Sequence, residues 1–83
     1  MRFGERLLNE RKKNGLSAQS LSEECGVSRS YITLIENGKR LPGRKVIPRI
    51  AFALNLKTNI IVNWYLEDLR EKLVTTQPFF NPS

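Results

Sequence analysis

Apolar residues recur along this chain in short sets at helical spacing, and a glycine, asparagine or proline stands near the end of most sets. Phe3, Leu7 and Leu8 supply the stripe of a first helix over residues 2–14. Arg6, Glu10, Lys12 and Lys13 face water, and Asn14-Gly15 ends the helix. The stretch from Ser17 to Gly38, SAQSLSEECGVSRSYITLIENG, then reads as two short helices joined by a tight turn. Ser17 is an N-cap, because its hydroxyl accepts from a free backbone N–H two or three residues on, and Leu21 and Cys25 follow four apart on one face. Gly26 permits the positive φ that a sharp stop requires. Val27 packs back, Ser28 caps a second helix with Ile32 and Ile35 three apart, and Asn37 and Gly38 close it.

The run GKRLPGRKVIPR, Gly38 to Arg49, holds five Lys/Arg, no acids, two prolines and two glycines, so it crosses the surface as a basic loop. Pro48 suits a first helical position, where its missing N–H costs nothing. The fourth helix therefore runs from Ile47 or Pro48 to Leu54, with Ile50, Ala51, Ala53 and Leu54 inward and Phe52 on the other face. Thr58 caps a fifth helix whose apolar positions split into two sets. Ile60, Ile61 and Trp64 close the core, whereas Val62, Leu66, Leu69 and Leu73 follow the 4-3-4 spacing of a helix seam, with Tyr65 beside it. One helix on a small domain cannot bury two faces against the same neighbour. The second face calls for a partner, and a symmetric dimer is the simplest supply. The expectation is an all-α, five-helix domain over residues 1–74 with a dimerisation helix at 58–74. A flexible tail, 75–83, follows, in which Phe79 and Phe80 either fold back over the seam or form a docking peptide.

Composition narrows the function. A chain of 83 residues is one small domain that buries only about 60% of its unfolded surface. Its formal charge of +6 is unevenly spread: residues 1–57 carry twelve Lys/Arg against five Asp/Glu, and residues 58–83 carry two against three. A basic region beside a near-neutral one fits separate surfaces for a polyanion and for something uncharged, although basic residues also serve solubility alone. Histidine is absent and Cys25 is the single cysteine, which excludes an internal disulfide, a zinc finger and a nucleophile needing a histidine base. The acids Glu23, Glu24, Glu67, Asp68 and Glu71 read as helix-surface neighbours rather than a metal cluster, and there is no glycine-rich phosphate loop. No enzyme, metal or cofactor is expected. Cys25 reads as a buried small hydrophobe in a reducing compartment. No run of about 18 apolar residues exists, and the start MRFGERLL lacks a signal peptide's apolar core, so the expected location is cytoplasmic, with no membrane partner.

Counted from Ala18, apolar residues stand at the fourth, eighth, tenth, fifteenth and eighteenth places, with glycine at the ninth. That pattern, and the wording VSRSYITLIENGKR, resembles the helix-turn-helix of the lambda repressor-like, or Xre-type, family, and the resemblance covers roughly residues 2–66. IPRIAFAL is similar to the same segment in some phage repressors. Two positions depart from the family pattern: Ala18 stands where glutamine is frequent, with Gln19 beside it, and Ser22 replaces a small alanine. The resemblance implies that helices two and three form a helix-turn-helix over residues 17–38. It also implies that Arg11 pairs with Glu36 late in the recognition helix, partly buried.

With Ile32 and Ile35 turned inward, a rotation of about 100° per residue leaves Arg29, Ser30, Thr33, Leu34 and Asn37 outward as base-reading candidates. Arg29 can donate twice to guanine, Ser30 and Thr33 can donate or accept, and Leu34 or the Thr33 methyl can rest on a thymine methyl. Phosphate-contact candidates are Ser17, Gln19, Lys39, Arg40, Arg44 and Lys45, and Tyr31, whose hydroxyl either reaches a phosphate or whose ring packs against the preceding helix. The expected function is a regulator, most simply a repressor, that binds double-stranded DNA as a homodimer on a palindromic operator, in a bacterial, phage or plasmid setting. The alternatives are an antitoxin that also controls its own operon, binding a protein through the fifth helix or tail, and a protein-interaction module on the same scaffold.

Overall fold

The computed structural model describes residues 2–75, which form five α-helices: α1 (Phe3–Lys13), α2 (Ala18–Cys25), α3 (Arg29–Glu36), α4 (Ile47–Ala53) and α5 (Thr58–Thr75). The expected tail with Phe79 and Phe80 lies outside the described residues. Local chemistry sets the boundaries. The Arg2 N–H donates to the Glu5 carboxylate (3.2 Å), Ser20 N–H donates to Ser17 Oγ (3.0 Å), and Tyr31 N–H donates to Ser28 Oγ (3.1 Å), so α1, α2 and α3 each open with an orphan donor satisfied. Gly26 ends α2 at φ 70°, where a side chain would be strained. Pro48 lies in the first turn of α4.

The helices close on one another in a ring: α1 packs on α3, α3 on α2, α2 on α4, α4 on α5, and α5 returns to α1. Each puts two apolar side chains into one core: Phe3 and Leu7, Leu21 and Cys25, Ile32 and Ile35, Ile50 and Ala51, Ile61 and Trp64. Leu54, just beyond α4, joins them. Phe3 meets the rings of Trp64 and Tyr65 edge-on, with centroids 6.0 and 6.4 Å away. Burial holds the Cys25 thiol up at about 11, helped by Glu24 and opposed by Arg49.

Five residues depart from the sequence expectations. Ile60, expected in the core, is 37% exposed, whereas Ile61 and Trp64 are buried. Arg6, expected in water, is half-buried and donates to Glu67 on α5 (2.7 Å). Glu10 and Leu8 are also half-buried, which narrows the α1 stripe to Phe3 and Leu7. Asp68, expected on the surface, is 4% exposed: its carboxylate accepts the Phe3 N–H (3.0 Å) and pairs with Lys72 (3.3 Å). A residue 65 positions away thus satisfies a free donor of α1 and sets a negative charge at that helix's positive end.

Glycine 4 explains how closely α1 lies on α3. A Cβ there would collide with the backbone carbonyl oxygen of Ile35 and come within 2.7 Å of that of Glu36. Neither backbone atom can swing aside, so only glycine fits.

Three outcomes follow from these contacts and this burial. Asp68→Ala leaves the Phe3 N–H without its buried acceptor and is expected to lower stability by about 1–3 kcal/mol in urea denaturation. Lys72→Ala, at a half-exposed ion pair, is expected to change it by less than about 1 kcal/mol. Because its thiol stays protonated, Cys25 is expected to resist an aromatic disulfide reagent at pH 8 until the protein is unfolded. Rapid labelling of the folded chain would contradict that burial.

Candidate nucleic-acid interface

The interface begins with what α3 does not bury. Ile32 and Ile35 are fully enclosed, while Arg29, Ser30, Thr33 and Leu34 are all exposed and line one shallow, open depression of about 480 Å³. Leu34 is 43% exposed there, an apolar spot among polar groups. Asn37, the fifth base-reading candidate, is not brought together with these four. It ends α3 and lines a different depression with Arg2, Gly4, Glu5, Glu36 and Gly38.

Beside the face runs the loop from Gly38 to Val46. Leu41 is half-buried and Pro42 buried, and they anchor it, while Lys39, Arg40, Arg44 and Lys45 are exposed. The four cations form a rim with no acid among them. Tyr31 holds this loop. Its hydroxyl accepts the Gly43 N–H (2.8 Å), and the Arg40 guanidinium sits 4.4 Å from its ring centroid. The expectation for Tyr31 is a hydroxyl that reaches a phosphate or a ring that packs against the preceding helix; in the structure the side chain packs against the core and also holds the loop that follows.

The other phosphate candidates lie at the start of α2. Ser17 is exposed, and its hydroxyl both accepts the Ser20 N–H and donates to Ser20 Oγ (3.0 Å each). Gln19 is exposed, but its amide donates to Glu23 Oε2 (2.9 Å), which orients it along the helix. Arg49, missed in the sequence, donates to the Cys25 carbonyl (3.2 Å) and so satisfies the end of α2 inside the helix-turn-helix. Its only sequence signal was membership of the basic run.

Arg11 and Glu36 set the position of the whole arrangement. Arg11 Nε donates to Glu36 Oε2 (2.7 Å), its Nη2 to Glu36 Oε1 (3.1 Å), and its Nη1 to the Leu16 carbonyl (2.9 Å). Both side chains are nearly enclosed, at 12% and 9% exposure. The hydrogen bond to Glu36 raises the Arg11 pKa further, with burial opposing, so Arg11 stays charged at the end of α3. Among the described residues no group of three His, Cys, Asp or Glu is placed to hold a metal ion, and no helix is long and apolar enough to cross a membrane.

The expected dimer residues all lie on α5. Leu66, Leu69 and Leu73 are 54%, 37% and 62% exposed, whereas Val62 and Tyr65 are half-buried, Tyr65 with an edge contact to Phe3. Val74, next to Leu73, is 64% exposed, and Phe52 on α4 is 87% exposed.

A family model described as helix-turn-helix matches residues 7–61. The chain is 35% identical over 60 residues to the ImmF control region 10 kDa protein of Bacillus phage phi105, covering 72% of this chain and 67% of that protein. Among solved structures it is similar to the restriction-modification controller protein C.AhdI of Aeromonas hydrophila, at 34% identity and a TM-score of 0.67, covering 71% of this chain and 89% of that one. It is also similar to SinR of Bacillus subtilis, the master regulator for biofilm formation, in complex with DNA, at 26% identity and a TM-score of 0.66, covering 72% of this chain and 97% of that one.

Proposed function

This chain belongs to the lambda repressor-like helix-turn-helix family and is a DNA-binding transcriptional regulator rather than an enzyme; from that premise we propose that it acts as a homodimeric repressor on a palindromic operator. The observation that carries the reading is the outer face of α3. Arg29, Ser30, Thr33 and Leu34 are exposed side by side on a helix whose opposite face is locked into the core, next to a rim of four cations. An α-helix presented in this way fits the major groove, where donors, acceptors and thymine methyls distinguish all four base pairs. Similarity to a phage control-region protein, to a restriction-modification controller and to SinR in its DNA complex supports this assignment.

Arg29 is positioned to donate to guanine O6 and N7, Ser30 and Thr33 to bond base edges, and Leu34 to meet a thymine methyl. Asn37, at the far end of α3, serves at the margin of the groove. Lys39, Arg40, Arg44 and Lys45 contact phosphates, which sets affinity and register without reading sequence, and Ser17 and Gln19 do the same at the start of α2. The partner surface is Leu66, Leu69 and Leu73 on α5, flanked by Val62 and Tyr65, because these leucines are 54%, 37% and 62% exposed along one helix. A twofold axis through it sets two recognition helices in successive major grooves about 34 Å apart. A dimer seated so blocks other proteins from the same duplex. The setting is the cytoplasm of a bacterium, with the gene carried by the chromosome, a phage or a plasmid.

Selection of bound fragments from random duplexes at stated salt tests the reading, and a site with two related half-sites is expected. Arg29→Ala is expected to lower discrimination at one base pair per half-site by about 1–3 kcal/mol, whereas Arg44→Ala weakens every duplex alike and reduces the salt slope by about one. An unchanged sequence preference in Arg29→Ala would remove α3 from base reading. For the dimer, Leu69→Asp is expected to lower the sedimentation mass at micromolar concentration, and an unchanged mass would discard the α5 surface.

A further inference from the structure

The basic loop has very little backbone structure of its own. Over residues 40–45, among the described residues, Gly43 supplies the one backbone N–H with a partner in the chain, and that partner is the side-chain hydroxyl of Tyr31 on α3. The same ring carries the Arg40 guanidinium 4.4 Å from its centroid. Tyr31 is half-buried and packs against the core, so it moves with α3 and not with the loop. One phenol therefore takes hold of the loop at two points, three residues apart, and refers both to the recognition helix.

We propose that Tyr31 is a positioning residue for the protein–DNA contact: it fixes the cationic loop relative to α3, so that phosphate contacts from Arg44 and its neighbours act in register with base reading. The proposal rests on the DNA-binding role assigned above and names the device that couples its two halves. A loop free to move pays conformational entropy when its cations settle on phosphates, and a loop already docked has lost that freedom in the free protein. The ring face stabilises Arg40 against swinging away, and the hydroxyl satisfies a backbone donor that otherwise turns to water. A hydroxyl that accepts from Gly43 still has its own proton to give, but contact with DNA through that proton is a separate effect, and its removal has a different signature.

The test uses the full chain with Tyr31→Phe, which keeps the ring and removes the hydroxyl. In the free protein, the Gly43 amide proton is expected to exchange with solvent faster in Tyr31→Phe, at an unchanged thermal midpoint. On the selected operator and on unrelated duplexes, binding is expected to weaken by a similar factor, roughly two- to tenfold. The deciding measurement is a double-mutant cycle with Arg44→Ala, read as log affinity against log salt. Loss of phosphate contact by Arg44→Ala is expected to be smaller in the Tyr31→Phe background, because a loop held only through Leu41, Pro42 and the Arg40–ring contact makes less of that contact to begin with. Independent losses that simply multiply would overturn the positioning role and leave Tyr31 as a direct contact at most; equal Gly43 exchange in both proteins would overturn it as well. Failure of the wild-type chain to bind any duplex in a salt-sensitive way would instead remove the DNA-binding role itself, which separates the two failures.

Discussion

An eight-residue helix with two fully buried side chains cannot hold itself in place, and α3 is such a helix. In water a helix of that length is not stable alone, since nucleation is costly and too few bonds follow. Its outer face cannot help, because every side chain packed there is one fewer available to a ligand. The restraint must come from the ends and edges. Ser28 caps the start, Arg11 grips Glu36 at the finish with a two-pronged bond, and Gly4 lets the α1 backbone come up against the Ile35 and Glu36 carbonyls. Ion pairs as enclosed as Arg11–Glu36 add little net stability over an apolar pair. Loss of one partner, however, strands a charge at about 3–5 kcal/mol, so the pair specifies one arrangement more than it deepens it.

From that restraint the roles of the other helices follow. Arg11 also binds the Leu16 carbonyl, so one guanidinium joins α1, the turn before α2 and the end of α3. Arg49 closes the other end of the motif at the Cys25 carbonyl. The longest helix, α5, serves two tasks on two sides. Its inner side brings Ile61 and Trp64 to the core and Asp68 to the start of α1, and its outer side leaves three leucines uncovered. An exposed leucine alone is ordinary. Three on one helix amount to an apolar patch on the described surface.

Charge is partitioned with the same economy. Two acids of the helix-turn-helix have side-chain partners, Glu36 in Arg11 and Glu23 in the Gln19 amide, while the cations of the loop are left exposed. Tyr31 joins the apolar and the electrostatic parts, with its ring on the core, its hydroxyl on the loop backbone and its face under Arg40.

The sequence by itself determined the helices and the turn between α2 and α3. Ser17, Gly26, Ser28 and Pro48 act through neighbours within four residues, and Ile32 and Ile35 state by spacing alone which side of α3 is inward. The free face made of Arg29, Ser30, Thr33 and Leu34 was legible for the same reason, and the Arg11–Glu36 pair through family likeness. Only the tertiary structure decided contacts whose partners are far apart in the chain and whose residue types are ordinary. Asp68 reads as any helix-surface acid until α5 lays it against the Phe3 N–H, and Ile60 reads as core although the fold leaves it 37% exposed. Gly4 as a close approach and Tyr31 as the holder of the loop belong to this second group. Periodicity tells which side of a helix is apolar; it carries no information on which neighbour arrives, or how far along the helix that neighbour extends.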